Sequence, residues 1–192
     1  MAIRSLKTGQ FSRSALVGNP VIMPGSYESI ATVTVGSGGA ASIEFTSIPS
    51  TYSHLQIRGI ARGTKSSTVA FLNMKLNSDT GTNYAYHILQ GDGASAVGSA
   101  VANDTFMDWA RYPAASATAS IFGASVIDIL DYGNTNKFKT VRYLGNYDAN
   151  GSGYLEFRSG LWRSTSAIST ITFSWDSGDF AQYSTFALYG VN

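Results

Sequence analysis

The 192-residue sequence contains no cysteine and only two histidines, His54 and His87. The first absence excludes a disulfide framework and thiolate metal sites. The second leaves little for imidazole chemistry, since neither histidine has a second ligand type at metal-binding spacing. Charge is also scarce. Asp, Glu, Lys and Arg make up 13% of the chain, about half the usual ~25%. With 13 basic and 12 acidic side chains, no field is expected to steer the chain toward nucleic acid or an anionic membrane. No apolar run approaches the ~18 residues of a helical membrane span. Residues 1–9 carry basic side chains without an apolar stretch or a small-residue cleavage site, so no secretory signal is expected there.

Ser, Thr, Gly and Ala fill the space that charge leaves. Such a surface suits close packing against proteins or sugars. Hydrophobic residues supply 44% of the chain. A single domain of this size removes about 70% of its unfolded surface from water and needs no metal or cofactor to stay folded.

Two zones differ in texture. Residues 1–26 follow neither a strand nor a helix period and hold two of the four prolines. Arg4, Lys7 and Arg13 stand there without an acid, among the apolar residues Ile3, Leu6, Phe11, Leu16 and Val17. A frayed terminus is one reading. The other is an extended arm whose apolar residues anchor it to a neighbouring subunit, since a disordered tail is usually poorer in them.

From Tyr27 to Asn192 the chain reads as strands. Leu55, Ile57, Gly59 and Ala61 share one face opposite His54, Gln56 and Arg58, and Ile171, Phe173 and Trp175 alternate with Thr and Ser. Runs over 28–35, 42–46, 69–76, 83–90, 120–131, 138–147, 153–162 and 181–190 complete about ten strands. Gly36-Ser37-Gly38-Gly39 and Asn150-Gly151-Ser152-Gly153 supply turn residues between neighbours. The pattern predicts an all-β fold, an antiparallel β-sandwich of jelly-roll type, with a meander sandwich as the alternative. Segment 91–119 is rich in Gly, Ala and Ser and reads as a long loop, with one helical turn near 100–110.

Chemistry is harder to place. Asp148, Asn150 and Ser152 imitate the first positions of a calcium loop. The twelfth position is Ser159, not Glu, and a hairpin turn needs no ion. Asp128 and Asp131 fall on opposite faces of a regular strand, while Asp176 and Asp179 frame a turn. No nucleophile elbow or dinucleotide fingerprint has its helix. Aromatics are the one enriched class with functional potential. Phe45, Phe157, Phe173 and Phe186 are placed in the core. Trp109, Tyr112, Tyr154 and Trp162 are candidates for glycan stacking, a subunit interface or plain core filling. Catalysis is not expected.

Several blocks resemble structural proteins of tailed bacteriophages, notably cyanophages. They are Tyr27-Glu28-Ser29-Ile30-Ala31, Phe45-Thr46-Ser47-Ile48-Pro49, Val126-Ile127-Asp128-Ile129-Leu130-Asp131-Tyr132, Ser159-Gly160-Leu161-Trp162 and Tyr183-Ser184-Thr185-Phe186-Ala187-Leu188-Tyr189-Gly190. The likeness spans most of 27–191 and carries no catalytic signature. It implies a place on a virion, as a capsid decoration or cement protein or a fibre subunit, commonly a homotrimer docked on other virion proteins by its N-terminal segment. A tail-associated module that binds a host surface glycan is the alternative.

Overall fold

The computed structural model describes residues 26–192, where no helix is present. The expected arm and its anchors Ile3, Leu6, Phe11, Leu16 and Val17 lie outside the described residues. Twelve strands follow in order. They are β1 (Tyr27–Thr34), β2 (Ser42–Phe45), β3 (His54–Ala61), β4 (Val69–Leu76), β5 (Tyr84–Gly91), β6 (Ala96–Asp104), β7 (Met107–Pro113), β8 (Gly123–Leu130), β9 (Lys139–Asp148), β10 (Gly153–Trp162), β11 (Ile171–Trp175) and β12 (Thr185–Val191).

All pairings are antiparallel and build two sheets. The larger has eight strands in the order β1-β12-β3-β8-β9-β10-β5-β6, and the smaller has four in the order β2-β11-β4-β7. Only the β5–β6 hairpin and the β8-β9-β10 run stay within one sheet; every other connection crosses. That crossing pattern separates the molecule from a simple meander. It is a β-sandwich.

The core forms where the inner faces meet. Alternation puts Leu55 and Ile57 of β3, Ile127 and Ile129 of β8, and Leu72 and Met74 of β4 inside, all fully buried. Phe173 of β11 stacks on Phe186 of β12 with ring centroids 4.9 Å apart, joining the sheets. Phe180 meets Phe186 edge-on at 5.8 Å and touches Trp175 at 4.8 Å. Each such pair adds about 0.5–1.5 kcal/mol beyond its area burial.

Segment 91–119 is not a loop. It forms β6, a two-residue turn and β7, then a short connection to β8. Ala and Ser gave it no apolar alternation, yet paired neighbours on β5 and β4 hold it extended. Tertiary pairing overrides weak local preference.

Two long cations organise the connections. The Arg62 guanidinium donates to the carbonyls of Thr118 (2.8 Å), Ile121 (2.9 Å) and Ala117 (2.9 Å), fastening the β7–β8 connection to β3. The buried Lys139 ammonium donates to the carbonyls of Asn134 (2.6 Å), Lys137 (3.1 Å) and Thr165 (3.2 Å). Burial, with Lys137 nearby, lowers the Lys139 pKa.

Candidate functional site

Strand β10 carries two sets of apolar residues in opposite phase, and only one can face the core. Trp162, Gly160, Arg158 and Glu156 turn inward, while Leu155 and Phe157 turn outward. Phe157 is therefore not a core residue as its period suggested; it is 50% exposed. The inward charges have partners on β7. Arg111 Nη1 donates to Glu156 Oε1 at 2.6 Å, and its backbone N–H donates to Oε2 at 3.1 Å. Arg158 donates to Glu156 Oε2 at 3.0 Å and to the Asp108 carbonyl at 2.7 Å, with the Asp108 carboxylate at 3.4 Å. Two guanidinium and two carboxylate groups close a neutral network between the sheets. Burial pushes the Asp108 carboxyl up, and Arg158 opposes that shift. Glu156 is 1% exposed, closed off from any substrate, so the network acts as structure.

Turning β10 this way moves apolar side chains to the outside. Register aligns Val126 of β8, Leu144 of β9, Phe157 of β10 and Leu89 of β5 in one row across the outer face of the large sheet. Leu89 is 58% exposed, Leu144 52% and Val126 37%. Ile60 and Leu155 extend the row on the next line, through Ala124 and Asn146. A groove of about 310 Å³ runs along Val126, Leu144 and Phe157, edged by the Asp128–Arg142 ion pair at 3.6 Å. A contiguous apolar patch bordered by charge is the usual form of an interaction surface.

A second concavity, of about 400 Å³, lies at one end of the sandwich between the β5–β6 and β9–β10 turns. Asp92, Asn146, Tyr147, Asp148, Ser152 and Tyr154 line it. The Arg111 guanidinium sits 4.8 Å from the Tyr154 ring centre, and Tyr147 lies 6.0 Å from it. Asp92 accepts bonds from the Ser95 N–H (2.7 Å) and the Ala94 N–H (2.9 Å), which hold its carboxyl below the usual range.

The candidates separate accordingly. Asp148, Asn150 and Ser152 form a hairpin turn: Asp148 Oδ1 accepts the Asn150 N–H at 2.7 Å, and the Ala149 N–H donates to the Ser152 carbonyl at 2.7 Å. Positive φ at Asn150 (59°) and Gly151 (103°) is what that turn requires. Among the described residues no three His, Cys, Asp or Glu side chains converge as a metal site would need. Tyr154 is half-buried at the cleft.

Tyr112 and Trp162 are not available as stacking platforms; both point into the core. Tyr112 donates to Ser125 Oγ at 2.6 Å, and burial pushes its hydroxyl up to about 12. Trp162 Nε1 donates to Asp79 Oδ2 at 2.7 Å. Trp109 is on β7, and its side chain lies outside the described residues. Sequence reasoning missed Leu89, Leu144, Leu155 and Tyr147. Their signal was apolar residues occurring in both phases of one strand.

The fold defines the class: an all-β protein of two packed antiparallel sheets. The chain matches no family model and no curated protein. Among solved structures it is similar to the galectin LEC-6 of Caenorhabditis elegans, at 8% identity and a TM-score of 0.25, over 89% of this chain and 99% of that one.

Proposed function

We propose that this protein is a structural accessory subunit of a phage virion, either capsid decoration or fibre, which works by packing against other virion proteins. The observation that carries the assembly reading is the exposed row Val126, Leu144, Phe157 and Leu89 on the outer face of the large sheet. Such a row costs solubility unless another surface covers it. The virion address rests on the sequence blocks that resemble phage structural proteins. Residues 1–26 would add a second attachment point.

The test is to locate the chain on intact particles by cryo-electron microscopy and to count copies per particle. The paired substitution Leu144→Ser and Phe157→Ser should lower occupancy while leaving the domain folded. Full occupancy by that variant would remove the outer face from the proposal, and absence of the chain from particles would remove the virion.

The cleft at the β9–β10 turn favours a second reading, recognition of a host surface glycan. Tyr154 offers ring surface beside Asn146, Asp148 and Ser152 as hydrogen-bonding groups, the combination that sugar rings require. Tyr154→Ala should then weaken binding to immobilised host polysaccharide by about tenfold or more. No binding by the parent chain would dismiss this reading.

A further inference from the structure

Each sheet of an open sandwich has two edges, and unpaired edge strands invite another chain unless something blunts them. Three of the four edges are blunted. β1 carries a bulge between Ser29 and Ala31 and the charge of Glu28. β2 is four residues long and includes Glu44. β7 is bulged opposite Leu72 and Asn73 and carries Asp108, Arg111 and Pro113.

β6 differs from all three. Among the described residues it pairs with β5 on one side only and ends the large sheet. From Ala96 to Ala102 it has no charge, no proline and no bulge, and every one of those residues is exposed. The irregularity comes only after Ala102, at Asn103, which has φ of 60° and no partner on β5.

We propose that β6 pairs edge to edge with β6 of a second copy of this chain, antiparallel about a two-fold axis through Ser99. The occupant follows from the strand's own pattern. Centred on Ser99, Ala96 faces Ala102 of the copy, Val97 faces Val101, Gly98 faces Ala100, and Ser99 faces itself. Both valines are matched. Centring on Gly98 sets Val97 opposite Ser99, while centring on Ala100 draws Asn103 and Asp104 into the ladder. A one-residue shift is enough to spoil the match.

Cross-strand neighbours reinforce this register. Val97, Ser99 and Val101 share a face with Gln90, Ile88 and Tyr86 through the β5 pairing. Val97 is 49% exposed and Val101 36%, so two copies bring four valines and two Ile88 side chains together on the inner face. The opposite face presents only Ala96, Gly98, Ala100 and Ala102, which leaves room for the sheet to continue. The product is one sheet running through two sandwiches, an isologous contact. It does not depend on where the protein resides, and it departs from the trimer that the resemblance implies.

Sedimentation of the full 192-residue chain should give twice the 20.4 kDa chain mass. The double substitution Val97→Lys and Val101→Lys, at exposed positions, should reduce it to one chain mass with the β-sheet circular dichroism spectrum retained and a thermal transition that no longer depends on protein concentration. A second readout stands if that variant fails to fold. The chain has no cysteine, so Ser99→Cys introduces a single thiol on the axis. Antiparallel partners stand about 4.5–5.5 Å apart at Cα, within disulfide reach. A disulfide-linked pair should form under mild oxidation, while Ser42→Cys on β2 should stay unlinked. A monomeric or trimeric parent chain overturns the proposal. So does a dimer that survives the lysines, or one that Ser99→Cys does not lock.

Discussion

Arg158 and Glu156 stand two residues apart on β10 and bond each other at 3.0 Å, each only 1% exposed. A strand that buries a bonded charge pair and exposes phenylalanine inverts the usual partition. The reason lies across the sandwich, where Arg111 and Asp108 of β7 give the pair further bonds and opposite charge. Breaking one member should be costly, because the others stay charged and buried. Glu156→Ala is expected to lower stability by about 3–5 kcal/mol, read from chemical denaturation at neutral pH.

The two phenylalanines that sequence treats alike should respond in opposite ways. Phe173→Ala removes a fully buried ring stacked on Phe186 and should cost about 3–5 kcal/mol. Phe157→Ala removes an outward ring and should change stability by no more than about 0.5 kcal/mol. Paired denaturation curves check both, and an equal loss would mean that β10 faces the other way.

Gly59 of β3 is set by close approach. A Cβ at this position would lie 2.6 Å from Phe186 Cε1, inside the ring that joins the sheets. Phe186 is held between Phe173 and Phe180 and has nowhere to move. Gly59→Ala is expected to cost about 1–3 kcal/mol as overpacking, seen as a lower denaturation midpoint with an unchanged slope.

Asp79 gives stability a dependence on acid. Burial opposes its charged form, but donors from Trp162, Asn83 and Gly81 outweigh that effect and hold its pKa below the ordinary 3.8. The folded chain therefore binds fewer protons than the unfolded one. The stabilisation is complete above the unfolded value and is lost as pH falls through the folded one. Asp79→Asn should be less stable than the parent at pH 7, and the gap should narrow below about pH 4. Thermal unfolding across that range measures it.

The ten strands with visible alternation were legible, and β4 runs over the expected residues. Their alternation states burial directly, as in β3 and β11. β6 and β7 were not legible, since Ala96 to Ala102 offers almost no contrast between faces and pairs only because β5 lies beside it. That gap hid a second fact. With β7 read as a loop, nothing announced partners for Glu156 and Arg158, so Phe157 was the natural choice for the core. For Tyr112 and Trp162, burial selects core filling among the three readings that the sequence left open. The alternation of one strand gives two faces, but only its neighbours say which one is dry.

Lys139 shows how such a fold fixes irregular backbone without borrowing anything from solution. Three carbonyl oxygens from the segment before β9 and the segment after β10 close on its ammonium group, much as they would on a bound potassium ion. This ion is tethered by its own side chain. Dialysis or a chelator cannot remove it, and its occupancy does not depend on the salt outside. Those two segments should keep their shape in media where a metal-clipped loop would open, and reaction at that single amine would release both together.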